Sequence, residues 1–423
     1  MRKKLSRIER LIKGAFEIGK YSGYLAVLSS LGCVHYPNVF STSKDGRYVA
    51  AMVDHEGKFT AIKHPENPEN PEYPLYHVVL IDTQTNEVNL FGSEYNLSDF
   101  LCITNTSDKV AFMAGDPYDK NGAQVRIFSK TENRTIKDAG FPVLFPDGNR
   151  IVYSKVVGRH NNNTPKLELT IRNITSGVEK PLGIEALASD VSPDQNYLAM
   201  ITMETSNRPE NAEDDIDLYL EICDINGRSR KRISQLELDC FDFPKWRNND
   251  FVYFKTTPQG EQDAEIFAAN KNGRIWRITD NDIDELNVHV FPDGRIFYAE
   301  LNQHQEDSKN NSIKLMQGRG HNLVNTGIQT DTFYAVANNK VVYLDQEGNL
   351  LMRTIGSHTS VNLSRRINEK YSGLLPLLET VGGSYMPAPP IENDYDPGPD
   401  APEPPVAEED YAPDDFPEAP EVP

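Results

Sequence analysis

Cysteine is scarce in this chain: four in 423 residues, at positions 33, 102, 223 and 240. None stands in a CxxC pair, which excludes a zinc knuckle or a thioredoxin-like redox site. No GxSxG elbow, HExxH helix or P-loop occurs anywhere, so the hydrolase, metalloprotease and nucleotide-binding readings those motifs carry have no anchor. Positive charge is also short: 43 Lys and Arg stand against 63 Asp and Glu, a net charge of -20. A chain this acidic repels phosphate, which argues against a nucleic-acid partner. No useful helical period runs between Pro37 and Arg365, so a helical solenoid does not fit.

What the chain has in quantity is one short phrase. A turn followed by four or five apolar residues recurs seven times, from SKDG-RYVAAMV at Ser43 to NNKVVYL at Asn338. FPDGNRIVYSK at Phe145 and FPDGRIFYAE at Phe291 are its clearest copies. Asp accepts a local backbone bond and Gly takes a positive φ, so Pro-Asp-Gly closes a tight hairpin. Where Gly is missing, Asn249 and Asn339 are expected in its place. The runs that follow, such as Ile151–Ser154 and Ile296–Ala299, are apolar without alternation, as befits strands covered on both faces.

A second hairpin follows in each unit, as in LEICDINGRSRKRIS and IFAANKNGRIWRIT. Two hairpins make a four-stranded antiparallel sheet, and roughly 40–50 residues per sheet is the size of a propeller blade. The expected fold is all-β, a seven-bladed antiparallel β-propeller over residues 36–365. The alternative is a six-bladed ring with Phe333–Leu363 packed elsewhere. LLMRTIG and SVNLSRR are expected to complete the last blade from its own end; the alternative is that YLAVLSS supplies its outer strand.

SPDQNYLAMIT and RIWRIT resemble the WD40-like repeats of the TolB type (PD40), whose blades carry an SPDG hairpin and a later Leu-Thr strand end. The resemblance covers about Tyr36 to Arg365. It implies the propeller fold and no particular activity, since such blades serve envelope scaffolds, peptidase-associated propellers and some lyases.

The two ends differ from the body. Residues 1–35 place seven cations within the first 20 positions, ahead of an apolar stretch that meets Gly32-Cys33. That is the layout of a secretory signal, and Ser-Leu-Gly-Cys resembles a bacterial lipobox with Cys33 as the lipidated residue. Leu5, Ile8, Leu11, Ile12, Ala15 and Phe16 share one helical face, so an amphipathic surface helix, or one packed on the propeller, is the competing reading. Residues 366–385 form a short extension. Residues 386–423 hold twelve Asp and Glu, no Lys or Arg and frequent Pro, and are expected to be a disordered acidic tail. It would act as a solubilising tail, or as a docking peptide with Tyr395, Tyr411 and Phe416 as anchors.

Alternate connections of a four-stranded blade emerge on opposite faces, and length concentrates in the second-to-third connections. On that face the expected binding residues are Tyr73, Tyr118, His160, Asn161, Glu213, Asp214, Asp215 and His304. His160 and His304 are also the candidate ligands of a propeller enzyme, together with the acidic run at Glu213. A solvated role is the plainer reading of both. Cys223 and Cys240 pair if the compartment is oxidising, and otherwise are buried thiols. The chain is expected to be a monomeric, non-enzymatic scaffold at the cell envelope that binds a protein or other macromolecule, without cofactor or metal. The alternatives are an envelope lyase or hydrolase acting on carbohydrate or peptide, and a cytoplasmic protein-interaction module.

Overall fold

The computed structural model describes residues 40–371, apart from 44, 54–74, 96–100, 107–108, 115–122, 130–132, 161–164, 206–215, 237–243, 259–263, 282–284, 292–294, 301–310, 318–321, 331–333, 338 and 346. Twenty-eight strands form seven antiparallel sheets of four. Each sheet is a meander of consecutive strands, so the blades follow the chain: I (40–95), II (102–137), III (139–181), IV (187–236), V (245–277), VI (285–330) and VII (334–362). The molecule is a seven-bladed β-propeller. Blade VII takes all four strands from its own end, Tyr334–Ala337 through Ser360–Asn362. Residues 1–39 and the separate unit Ala388–Pro423 lie outside the described residues.

The apolar runs became the second strand of each blade. Tyr48–Val53, Lys109–Ala114 and Lys340–Leu344 are buried at every position after the first. A strand at the centre of a blade has neighbouring blades against both of its faces, so both sets of side chains must be apolar. The core is therefore a series of inter-sheet layers. Blade III packs on blade IV through Phe145, Val152, Leu169, Ala188, Leu198 and Met200, all buried.

The first-to-second turns of blades I and IV follow one chemistry. Ser43 Oγ donates to Asp45 Oδ1 at 2.5 Å, and the Arg47 and Tyr48 amides donate to Asp45 Oδ1 and Ser43 Oγ at 3.1 and 3.0 Å. Ser192, Asp194, Asn196 and Tyr197 repeat that pattern at 2.6, 3.2 and 2.9 Å. Gly148 takes φ 72° in blade III, and in blade IV it is Gln195, at φ 64°, that occupies the left-handed position. Asn249 and Asn339 do not take that position, contrary to the sequence expectation. The turn of blade V is one residue shorter, and Asn248 Oδ1 closes it by accepting the Asp250 and Phe251 amides at 2.9 and 3.0 Å. Asn249 is freed to reach the preceding blade, accepting the Asp194 amide at 2.9 Å.

The end of blade VII also differs from expectation. SVN is the fourth strand, but LSRR is helical, within α1 (Leu363–Tyr371). Asn362 Oδ1 accepts the Arg365 amide at 2.8 Å, an N-cap that satisfies a donor of the first turn and ends the strand there. Leu363 and Ile367 are then buried in the cluster shared by blades I and VII.

Candidate functional site on the loop face

The two faces of the ring are built differently. On one, first-to-second and third-to-fourth turns span two to six residues between strands. These turns are stitched across blades: Asn105 Oδ1 accepts the Asp45 amide at 3.1 Å, Arg150 donates to Gln195 at 2.8 Å, and Arg247 donates to the Phe291 carbonyl at 3.0 Å. On the other face the second-to-third connections run from five residues (160–164 and 345–349) to 21 (54–74). Both ends of the blade III connection VGRHNNNTPK are strand. Arg150–Arg159 and Pro165–Asn173 extend as one long hairpin, bulged between Val156 and Gly158, with an exposed end from Val157 to His160.

Of the candidate binding, metal-ligand and lipidation residues, His160 alone is described. It stands at the end of that hairpin, 43% exposed, with Nε2 2.5 Å from Glu185 Oε1. Glu185 belongs to the link between blades III and IV, so the contact ties the projecting hairpin to the next blade. Tyr73, Tyr118, Asn161, Glu213, Asp214, Asp215, His304 and Cys33 lie outside the described residues. Among the described residues no three His, Cys, Asp or Glu side chains are grouped as a metal site, and no helix is long and apolar enough to cross a membrane. Cys223 carries a free thiol, buried in Ile216–Asp224, and Cys240, its expected partner in an oxidising compartment, lies outside the described residues.

A buried polar cluster that sequence reading missed sits on the same face, where blades V and VI meet. Lys255, near the end of Phe251–Thr256, donates to the Glu285 carbonyl at 3.0 Å and is 4% exposed. Glu265 and Glu285, each at the start of a strand, are fully buried. Arg277 Nη2 and the Asn281 amide both donate to Glu265 Oε1, at 2.9 and 2.8 Å. Asn281 Nδ2 donates to Glu285 Oε1 at 2.8 Å, and Thr279 Oγ1 accepts the Ile266 amide at 2.8 Å. The Oε2 atoms of both glutamates are buried without a partner. Burial, reinforced by the neighbouring Glu265 charge and opposed by Asn281, pushes the Glu285 carboxyl up to about 8. Near neutral pH Glu285 is thus a carboxylic acid beside the Arg277-paired Glu265.

The repeat contains a signal for this cluster. The register that pairs Lys255 with Ile266 pairs Met52 with Val78, Met113 with Val125, Ile201 with Leu220, Ala299 with Ile313 and Leu344 with Leu350. Only blade III, with Ser154, and blade V, with Lys255, place a polar group there. Ser154 Oγ donates to the Ala186 carbonyl at 3.0 Å, the same strand-to-next-blade tie that Lys255 makes. A buried lysine where five of the seven blades are apolar marks a local departure from what folding alone requires.

No family model matches the chain, and no curated protein does either. Solved structures do. The β-propeller domain of the trilobed protease from Pyrococcus furiosus, described as having an open velcro topology, is 11% identical with a TM-score of 0.50, covering 78% of this chain and 97% of that one. A putative TolB from Agrobacterium tumefaciens is 15% identical with a TM-score of 0.41, over 60% of this chain and 89% of that one. A puromycin-hydrolysing peptidase of Mycobacterium tuberculosis is 11% identical with a TM-score of 0.49, over 77% of this chain and 53% of that one. At these identities the likeness is one of fold. It agrees with the β-propeller seen here and carries no activity across.

Proposed function

We propose that this propeller is a binding scaffold, held at the cell envelope, that engages a protein or other macromolecule through its long-loop face. The observation that carries the reading is the asymmetry of the two faces. Turns of two to six residues suffice to close every hairpin on one face, whereas second-to-third connections reach 21 residues on the other. Loop length adds closure entropy without adding core, and binding residues gather on loops held by a rigid frame. The envelope location rests on the Gly32-Cys33 motif after an apolar stretch. Replacing 66–73 and 207–215 with short Gly-Ser turns should leave thermal stability nearly unchanged and abolish co-purification of the native partner. Binding that survives both replacements would sink the loop-face reading. For the location, membrane-fraction protein should begin at a diacylated Cys33; intact residues 1–33 in cytosolic protein would sink that part.

A second reading, an envelope lyase or hydrolase, draws support from the contact of His160 Nε2 with Glu185 Oε1 on the loop face. Metal analysis of purified protein separates the two: the scaffold carries no stoichiometric transition metal, the metal-dependent enzyme does.

A further inference from the structure

The turn face carries a surface that the loop-face reading does not use. In blades IV and V the third-to-fourth turns have the same form, Asp224-Ile-Asn-Gly-Arg228 and Asn270-Lys-Asn-Gly-Arg274. In each, the first side chain accepts the amides two and four residues on, at 2.8 and 3.0 Å from Asp224 and at 3.0 and 2.9 Å from Asn270. Gly227 and Gly273 take φ 76° and 82°. Identical turns on adjacent blades display Arg228 and Arg274 at equivalent places, both exposed. The blade III turn closes likewise, Asn173 to Val178, and sets Val178 at that place.

Lysines join the three turns. Lys180 Nζ donates to Asn226 Oδ1 at 2.5 Å, and Lys231 Nζ donates to the Asn272 carbonyl. Both spend their hydrogen bonds on neutral acceptors, so their charge is not cancelled. Nearby carboxylates are committed elsewhere: Asp224 to the Asn226 and Arg228 amides of its own turn, Glu221 to Arg230 and Arg232, Glu179 to Lys155 and Arg172, and Asp250 to Lys271 at 3.4 Å. Among the described residues Lys180, Arg228, Lys231 and Arg274 form no ion pair. Beside them stand Val178, 68% exposed, and Ile275, 39% exposed, two of the three large exposed hydrophobics among the described residues. Four unpaired cations around two bare apolar side chains make an uncommon surface on a chain of net charge -20.

We propose that the outer rim of blades III–V on the short-turn face is a docking surface for an acidic peptide segment of a partner protein, one that interleaves carboxylates with apolar or aromatic side chains. Charge complementarity selects the carboxylates, and Val178 and Ile275 give the apolar side chains a place to bury. The surface is independent of the loop-face reading, since the two lie on opposite faces and can be lost separately.

The test is fluorescence anisotropy on the full chain, with a dye-labelled peptide EEDYEEDDFEE and its uncharged counterpart QQNYQQNNFQQ. The acidic peptide should bind. Binding should weaken at least about tenfold in Arg228→Glu/Arg274→Glu, and it should also weaken in Val178→Ser/Ile275→Ser and as salt rises from about 0.05 to about 0.5 M. Arg365→Glu on α1, away from the rim, should leave it unchanged. All these side chains are exposed, and unchanged melting temperatures verify folding; if the double reversal misfolds, Arg274→Gln alone should give an intermediate loss. Equal binding of the uncharged peptide, or full binding by the folded reversal variant, overturns the proposal. Binding seen only after removal of residues 386–423 overturns a separate protein as the occupant.

Discussion

The Tyr371 hydroxyl accepts the Leu90 amide at 3.2 Å and donates to the Val88 carbonyl at 3.3 Å. Glu87–Tyr95 is the outer strand of blade I, and one phenol at the end of α1 thus occupies a donor and an acceptor of its open edge. Lys370 adds a bond to the Val88 carbonyl at 2.8 Å, Arg366 one to the Asn86 carbonyl at 2.9 Å, and Lys340 bonds the Thr83 carbonyl. Among the described residues no strand is shared between blades I and VII, so these contacts, with an apolar layer that holds Phe40, Val49, Ala335, Val342, Leu363 and Ile367, join the two ends of the ring. Tyr371→Phe should cost about 1 kcal/mol and lower the melting temperature by a few degrees in calorimetry. Ending the chain before Leu363 should cost several times more. A Tyr371→Phe protein that melts with the wild type would show that α1 rests on the ring without holding it.

Glu285 makes stability depend on pH in an unusual sense. Its carboxyl is raised from the ordinary 4.5 to about 8 by burial, so the folded state binds the proton more tightly than the unfolded one. The group's contribution is fully present below pH 4.5 and is lost as pH rises through about 8. Glu285→Gln keeps the shape and cannot ionise. Urea titrations from pH 5 to 9 should show wild-type stability falling relative to Glu285→Gln, by roughly a few kcal/mol at most across the window. Parallel profiles for the two proteins would refute a buried neutral Glu285.

Asp194 works in the opposite direction. Burial opposes its ionisation, yet the Ser192 hydroxyl and the Asn196 amide hold the carboxyl below its usual range. Its contribution should persist above the ordinary carboxylate range and fade as pH falls below about 4. Asp194→Ala should cost about 1 kcal/mol at pH 7, and the difference from wild type should narrow in acid. Denaturant midpoints at pH 7 and 3 decide it.

Burial pushes both described thiols, Cys102 and Cys223, up to about 12. The thiolate is the reactive form, so neither should take up iodoacetamide at pH 8 in the native protein, while both should label after unfolding. Peptide mapping with native-state labelling at Cys223 would contradict its place in the blade III–IV layer.

Legibility followed the range of the interactions involved. Seven blades, and a last blade built from its own end, could be read because hairpin turns are local: Ser192-Pro-Asp194 closes itself with atoms at most five residues apart. The apolar runs told of strands covered on both faces for a similar reason, each side chain reporting its own burial. The helix over Leu363–Tyr371 was missed because its apolar residues are few, and its position depends on an edge strand more than 270 residues earlier. The exchange of roles between Asn249 and Gln195 was equally closed to sequence, since the bond that settles it joins two blades.

The V–VI cluster shows the division most clearly. Sequence by itself determined that Lys255 stands in a run whose counterparts are apolar in every blade but III, because register within a repeat is a matter of spacing. Only the tertiary structure decided that Glu265, Arg277, Asn281 and Glu285 converge on that run, and that Glu285 keeps its proton. Convergence depends on the packing of one blade against the next, and the proton on the water which that packing excludes. The same holds on the opposite face. The sequence RSRKR is a run of charge, but which cations remain unpaired was settled by the strand partners that bring Glu221 to Arg230 and Arg232, while the Arg228 and Lys231 side chains form no ion pair among the described residues.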